Sequence, residues 1–254
     1  MFEQELAFAN ELADRADEIS TSFFRGDFEV MRKPDETPVT EADLRIEETI
    51  RKELGARFPG DAVLGEEGGL EAGGGSDRVW VIDPIDGTKN FAARIQIWGT
   101  LIALMVGDDP VLGVASAPAL GERYAAATGM GATLNGEPIS VSDRRDLPEA
   151  LISFGSLKEW QEDPQASALT ELVRRSGRTR GFGDFWGHML VARGSADVMV
   201  EESLRTWDWA AIAPIVREAG GRITQLEGSP LADRAGVLTT NGVLHDAVVG
   251  LFRS

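Results

Sequence analysis

The chain has 254 residues, 43% hydrophobic and 26% charged, with no cysteine and only two histidines, His188 and His245. The apolar share excludes a disordered chain, and the missing cysteines exclude disulfides, thiolate zinc sites, iron–sulfur clusters and cysteine nucleophiles, so any metal must be held largely by oxygen. A net charge of −17, from 42 acids against 25 bases, argues against non-specific binding to nucleic acid or an anionic membrane, and it obliges an anionic substrate to find local cations.

Residues 3–24 place Leu6, Leu12, Ala13, Ala16, Ile19 and Phe23 near helical spacing, with Gly26 after them. The stretch Met31–Val39, with two prolines and mixed charges, reads as a loop. A second helix is expected from Thr40, where Thr40 and Asp43 have capping-box spacing, to Pro59-Gly60. Gly68–Ser76 is glycine-rich and reads as a surface loop. Val79–Ile82 reads as a buried strand ending abruptly in Asp83-Pro84-Ile85-Asp86-Gly87. Ile97–Val106 and Val111–Ala117 read as neighbouring strands joined by a turn over 107–110. Arg123–Ala127 is a further strand candidate, and Asn135-Gly136 is a turn dipeptide.

The second half alternates strand, helix, helix and strand over Ala150–Phe154, Pro164–Ser176, Phe185–Arg193 and Asp197–Val200. A helix over Ala210–Ala219, strands at Arg222–Thr224 and Val237–Thr239 and a helix over Leu244–Phe252 follow. Such mixing predicts a layered α/β fold. The longest apolar stretch, Ile97–Val106, is shorter than the about 20 residues a bilayer requires. The acidic N-terminus lacks the basic region of a signal peptide, so a soluble, cytoplasmic protein is expected.

The strongest local signal is Trp80-Val81-Ile82-Asp83-Pro84-Ile85-Asp86-Gly87-Thr88-Lys89-Asn90-Phe91. An apolar strand delivers two carboxylates three residues apart, proline fixes the turn between them, and glycine lets the backbone approach a ligand. If the following residues open a helix, its N–H groups face an anion. Carboxylates beside an anion-binding turn make chemical sense when cations lie between them, and hard oxygen donors point to Mg²⁺. Taken alone, Asp83 and Asp86 also fit an ordinary turn with side-chain caps.

This run resembles the signature of the inositol-monophosphatase-like phosphatases. Gly65-Glu66-Glu67, Thr40-Glu41-Ala42-Asp43, Trp207-Asp208 with Ala210, and Glu218-Ala219-Gly220-Gly221 resemble that family's other motifs in the same order. The resemblance implies a single domain over 1–254 with the sugar-phosphatase-type α-β-α-β-α sandwich. Approximate lobes would be a metal-binding one over 1–145 and a substrate-specificity one over 146–254 that contributes Asp208.

It further implies that Glu66, Asp83 and the Ile85 carbonyl hold one Mg²⁺, that Asp83, Asp86 and Asp208 hold a second, and that Glu66 helps hold a third through water. Glu67 is chemically as suitable as Glu66, which is chosen by resemblance alone. Thr88, linked to Asp43, would orient the attacking water and help remove its proton. The amides of Gly87 and Thr88 would hold the phosphate. Two cations roughly 3.5–4 Å apart can clamp the attacking and leaving oxygens of an in-line displacement. They also offset the four charges of Glu66, Asp83, Asp86 and Asp208, which answers the question of how so acidic a chain takes an anion. A homodimer is expected from resemblance alone.

Gly183-Asp184-Phe185-Trp186-Gly187-His188 resembles the histidinol-phosphate phosphatases of that superfamily, as do the stretches Lys33–Thr40 and Thr240–Asp246. Histidinol phosphate carries an ammonium and an imidazole, which want carboxylates away from the metals. Asp184 and Glu201 can supply them. The expected activity is hydrolysis of L-histidinol phosphate, a step of histidine biosynthesis. Alternatives are an inositol-1-monophosphatase or a broad phosphatase, then a phosphoadenosine-phosphate phosphatase or a silent scaffold. Asp184 also fits a helix N-cap, Asp43 a completed Thr40 cap, Asp208 the N-cap of the helix after it, and Glu201 an exposed strand end. Trp186 and His188 read as helix packing, and Trp160 as surface or interface.

Overall fold

The computed structural model describes residues 2–26, 30–32 and 38–253. The chain opens with two helices, α1 (Glu3–Arg25) and α2 (Glu41–Arg57). Between them β1 (Val30–Arg32) and β2 (Pro38–Thr40) pair antiparallel, so part of the expected Met31–Val39 loop is a small ribbon. Its backbone finds hydrogen-bond partners that composition alone did not suggest. Residues 33–37, including the Lys33-Pro34-Asp35 run, lie outside the described residues. The amide and hydroxyl of Thr40 both donate to Asp43 Oδ2, at 2.8 and 2.6 Å, closing the start of α2.

An eight-stranded sheet follows. Its strands are β3 (Ala62–Gly65), β4 (Gly69–Glu71), β5 (Arg78–Asp86), β6 (Gly99–Val106), β7 (Asp109–Ala117), β8 (Glu122–Ala127), β9 (Ala132–Leu134) and β10 (Glu137–Pro138), in the order β10-β9-β8-β7-β6-β5-β3-β4. Three residues of the expected 68–76 loop are therefore strand. The short helix α3 (Thr88–Ala92) separates β5 from β6. A second sheet runs β12-β11-β13-β15-β14, built from β11 (Leu151–Phe154), β12 (Arg178–Arg180), β13 (Val198–Leu204), β14 (Arg222–Gln225) and β15 (Ala235–Thr240). The remaining helices are α4 (Leu157–Glu162), α5 (Ala166–Arg175), α6 (Asp184–Ala192), α7 (Thr206–Ala210), α8 (Ile212–Glu218) and α9 (His245–Phe252).

Side-chain alternation along the strands creates the layers. Trp80 and Ile82 of β5, with Ile102, Leu104, Leu112 and Val114, bury against Ala9, Leu12, Ile46 and Ile50 of α1 and α2. Val81, Leu101, Ala103 and Ala115 face the other way, onto Phe185, Met189, Trp209, Ile212 and Ile215 of α6–α8. The second sheet packs Val198, Val200 and Leu238 on Trp160, Leu169, Leu172 and Val248 of α4, α5 and α9. The order is helix, sheet, helix, sheet, helix. Both faces of the large sheet are covered, which is why its strands read as continuous apolar runs.

Two expectations need correction, and one helix went unpredicted. The helix expected over 210–219 is two, α7 and α8, meeting at Ala211. The chain bends there, over the large sheet. Helix α4 was too short to show a period. Trp160 on it is buried, 6.1 Å from the Phe252 ring, because α9 covers it. No helix among the described residues is long and apolar enough to cross a membrane.

The bend at Ala211 needs a glycine beneath it: a Cβ on Gly113 of β7 would lie 2.0 Å from the Ala211 carbonyl oxygen. Backbone cannot yield as a side chain can, so Gly113→Ala is expected to destabilise by about 3 kcal/mol or more, at or above the upper end of ordinary overpacking. Thermal unfolding checks this, and activity falls with it because Asp208 sits on the displaced segment. His188, fully buried with Nδ1 2.7 Å from Thr239 Oγ1, has its pKa pulled down to about 3 by burial. The unfolded chain therefore takes up this proton first. The stabilising contribution is complete above about pH 6.5 and is lost as pH falls toward 3. Between pH 7 and 5 the wild type should lose about 2 kcal/mol more than His188→Gln in denaturant titrations.

Candidate active site

Strand β5 does not stop at Asp83. It runs to Asp86 through a register shift, with Asp83 opposite Leu101 and Asp86 opposite Gly99. Pro84 has no amide to offer a ladder, and strand proline belongs at such bulges. The Pro84 carbonyl accepts from Thr100 Oγ1 at 2.7 Å. The expected turn is thus a β-bulge, and its consequence is geometric. Residues three apart on a regular strand point to opposite faces, whereas an irregularity of this kind re-aims a side chain. Asp83 and Asp86 both end at one cavity. Gly87, at φ 79°, then turns the chain into α3; a left-handed residue there favours glycine.

The cavity, about 310 Å³, is lined by Glu66, Asp83, Ile85, Asp86, Gly87, Thr88, Lys89, Glu159, Asp184, Phe185, Glu201, Glu202, Ser203, Leu204, Asp208 and Ile212. Carboxylate oxygens of Asp83, Asp86 and Asp208 lie within 4.8 Å of one another, the one such potential metal-holding group among the described residues. Asp208 is the third residue of α7, not its N-cap. Its Oδ2 accepts the Arg205 amide at 2.7 Å, and the Arg205 guanidinium stacks 4.2 Å above Trp207.

Glu66 follows β3 and donates its amide to the Ile82 carbonyl at 3.1 Å. Glu66 lines the cavity, whereas Glu67 is absent from its lining. The turn is held from behind by Glu47 of α2. Its carboxylate accepts the amides of Glu67 and Gly68 at 2.9 and 2.7 Å and pairs with Arg51. Sequence reasoning passed over Glu47. The available signal was an acid beside Ile46 on the apolar face of α2.

Asp43 is fully buried and stands outside the cavity lining, near enough to Asp83 and Glu66 to feel both charges. The expected hydroxyl link from Thr88 to Asp43 is not what the structure shows. Thr88 Oγ1 donates to the Ile85 carbonyl at 2.9 Å, and Thr40 occupies Asp43 Oδ2. An acceptor three residues back along the same turn is nearer at hand than one on another element.

The far wall belongs to the second sheet and α6. Glu201 is buried, not at an exposed strand end. Its carboxylate occupies a notch left by glycine, since a Cβ on Gly155 would lie 1.8 Å from Oε2. Asp184 opens α6 at φ 56°, a backbone state that costs a non-glycine residue about 1–3 kcal/mol and persists where the surroundings impose it. The Asp184 amide donates to Glu201 Oε1 at 3.0 Å, and the Phe185 amide donates to Asp86 Oδ2 at 2.7 Å. Glu159, Glu202 and Lys89 complete the outer rim, with Lys89 Nζ 3.2 Å from Glu159. Sequence reasoning assigned these three no role; nothing in local spacing announces a rim assembled from α3, α4 and β13.

Burial dominates the electrostatics. It pushes Asp83 and Asp86 well above the usual carboxylate range. Glu66, Asp86 and Asp208 add repulsion at Asp83, and Asp184 and Asp208 add it at Asp86. Burial raises Asp208 to about 7, against the Arg205 amide, and Asp43 to about 6, against its Thr40 hydrogen bonds. Burial, with Glu202 and Asp184 nearby, raises Glu201 as well. Asp83 Oδ1 is buried without a hydrogen-bond partner. An orphaned oxygen among converging hard donors fits a divalent cation such as Mg²⁺, which would satisfy it and remove the repulsion.

The model of the inositol monophosphatase family matches residues 1–254. A Streptomyces coelicolor protein named histidinol-phosphatase is 44% identical over 97% of this chain and 96% of its own. A Mycobacterium tuberculosis protein of the same name is 43% identical over 98% of each. Among solved structures, the Thermotoga maritima IMPase superposes with a TM-score of 0.87 at 32% identity, covering 98% of this chain and 97% of its own.

Raised carboxylates set the sign of a pH effect. Their contribution to the ion-free fold is complete below about pH 4, where both folded and unfolded states keep these protons. That advantage is lost as pH rises through about 7 for Asp208. Asp83→Asn removes one buried acid, so at pH 7 in chelator it should unfold about 2–4 °C higher per kcal/mol gained, an unpartnered buried group costing about 1–3 kcal/mol. The same variant should lose the upward shift in unfolding temperature that Mg²⁺ gives the wild type, together with phosphatase activity. Calorimetry with and without Mg²⁺ reads both.

Proposed function

The chain belongs to the inositol monophosphatase family, a phosphoric monoester hydrolase by that kinship, and from this premise we propose that it hydrolyses L-histidinol phosphate. The observation that carries the reading is the continuity of two acidic groups in one cavity. Asp83, Asp86, Asp208 and Glu66 line it, and beside them Asp184 of α6 and Glu201 of β13. The first group suits cations and phosphate. The second suits a leaving group that is itself cationic, through charge-assisted hydrogen bonds. An uncharged polyol leaves buried acids such as Glu201 without a counter-charge, which is costly. The two relatives described above, both named histidinol-phosphatase, point the same way.

In this proposal Glu66, Asp83, the Ile85 carbonyl, Asp86 and Asp208 hold two or three Mg²⁺ ions. Bound there, the ions offset the clustered charge, polarise the phosphoryl group and acidify a nearby water. The Gly87 and Thr88 amides hold the phosphate oxygens. Asp86 borders both phosphate and metals. Thr88 and Glu66, both at the cavity wall, position the attacking water and take up its proton. Asp43, behind that wall and bonded to Thr40, bears on the site through its charge on Asp83. Water adds to phosphorus, the ester P–O bond breaks, and histidinol leaves with a proton while Asp184 and Glu201 hold its ammonium. Residues 1–145 then act as the metal-holding lobe, and 146–254 as the specificity lobe that also supplies Asp208.

A phosphate-release panel tests this reading. With Mg²⁺, histidinol phosphate should be turned over far faster than inositol 1-phosphate, fructose 1,6-bisphosphate or phosphoadenosine phosphate, and chelator should abolish the activity. Glu201→Gln should raise KM for histidinol phosphate about tenfold, the scale of one hydrogen bond to a charged group. Equal or better turnover of the inositol ester would replace this reading with an inositol-1-monophosphatase or a broad phosphatase.

A further inference from the structure

Asn90 stands in the run after Gly87 and has no part in the reaction described so far. It lies on α3, behind the cavity-lining residues Gly87, Thr88 and Lys89, and its side chain reaches to the start of α6. Asn90 Nδ2 donates to Asp184 Oδ2 at 3.0 Å and to the Ile97 carbonyl at 2.9 Å. A side-chain amide nitrogen has two donors, so both are committed. The Ile97 bond fixes where the amide points, and the Asp184 bond fixes where that carboxylate points.

The rest of Asp184 is constrained from other directions. Its backbone is left-handed at φ 56°, and its amide is held by Glu201 Oε1 at 3.0 Å. The next amide, of Phe185, is held by Asp86 Oδ2 at 2.7 Å. Its Oδ2 is also 3.5 Å from where a Cβ on Gly87 would stand, an ordinary contact distance, so the carboxylate lies against the Gly87 turn. The backbone of Asp184 is therefore pinned by two acids of the cavity. The Asn90 bond is what orients its carboxylate.

We infer that Asn90 is a positioning residue for substrate selection: by fixing the Asp184 carboxylate against α3, it presents that charge to the ammonium of an amine-bearing phosphate ester. The inference rests on the preceding reading of Asp184 as the ammonium partner. Asn90 donates a neutral hydrogen bond, so it orients the carboxylate without cancelling its charge. A lysine or arginine at this position would form an ion pair with Asp184 and compete with the substrate.

The test compares two esters, L-histidinol phosphate and inositol 1-phosphate, in the Mg²⁺-loaded full chain. Asn90→Ala, Asp184→Asn and the double variant are compared by the ratio of kcat/KM for the two esters. In Asn90→Ala the ratio should fall about 10-fold, chiefly through KM for the amine-bearing ester, as expected for one lost interaction to a charged group. Asp184→Asn should lower it at least as far. The double variant should add nothing to Asp184→Asn, because residues acting through one contact are non-additive. Asn90→Gln keeps the amide one methylene further out and should recover part of the loss. Equal loss on both esters in Asn90→Ala would mark a framework role and overturn the inference. An unchanged ratio in Asn90→Ala beside a collapsed one in Asp184→Asn would overturn it while sparing the reading of Asp184. An unchanged ratio in Asp184→Asn would overturn both.

Discussion

Carboxylates forced together away from water are the constraint on which this molecule is built. Asp83, Asp86 and Asp208 come from two elements far apart in the chain, and their oxygens converge within 4.8 Å. Left alone, such a group opposes folding, because burial and like charge both disfavour its ionised form. The fold holds it by spending backbone hydrogen bonds on it. Asp86 takes the Phe185 amide and Asp208 takes the Arg205 amide. Apolar side chains on both faces of β5 fix the strand that carries two of the three.

The same constraint explains the bulge in β5. A regular strand would send Asp83 and Asp86 to opposite faces. Pro84, unable to pair, stands where the register slips, and both carboxylates reach one cavity. Glycine appears where backbone or an acid needs the room. Gly113 lets the α7–α8 bend settle on the large sheet, and Gly155 leaves the notch that Glu201 fills.

Helix α6 joins the two ends of the cavity. Its first amides are taken by Glu201 of the second sheet and Asp86 of the first, so neither sheet can shift without straining the other. Along its length Met189 and Ala192 bury in the middle layer, while Trp186 Nε1 and Arg193 Nη1 both donate to Glu122 of β8, at 2.9 and 2.6 Å. A cavity with walls on two sheets is thereby held at fixed width, as the proposed selection by leaving-group charge requires.

Much of this was legible in the chain itself. Apolar periodicity marked α1, α2 and the central strands, because those elements bury one face or both and the pattern is local. Asp83, Asp86, Gly87 and Thr88 stand in one run, and motif order pointed to Glu66 and Asp208 as their companions. Short elements such as β1, β2 and α4 were not legible, since three to six residues show no period and tertiary contacts stabilise them. Which of Glu66 and Glu67 lines the cavity, the burial of Glu201 and Trp160, and the reach of Asn90 to Asp184 were decided only by folding. Each depends on which distant element lies opposite, and hydrogen bonds across 94 residues of chain leave no trace in local spacing. The sequence by itself determined which chemical groups are present and the faces on which helices and strands bury them. Tertiary structure alone decided which groups meet, because convergence is set by how sheets and helices stack.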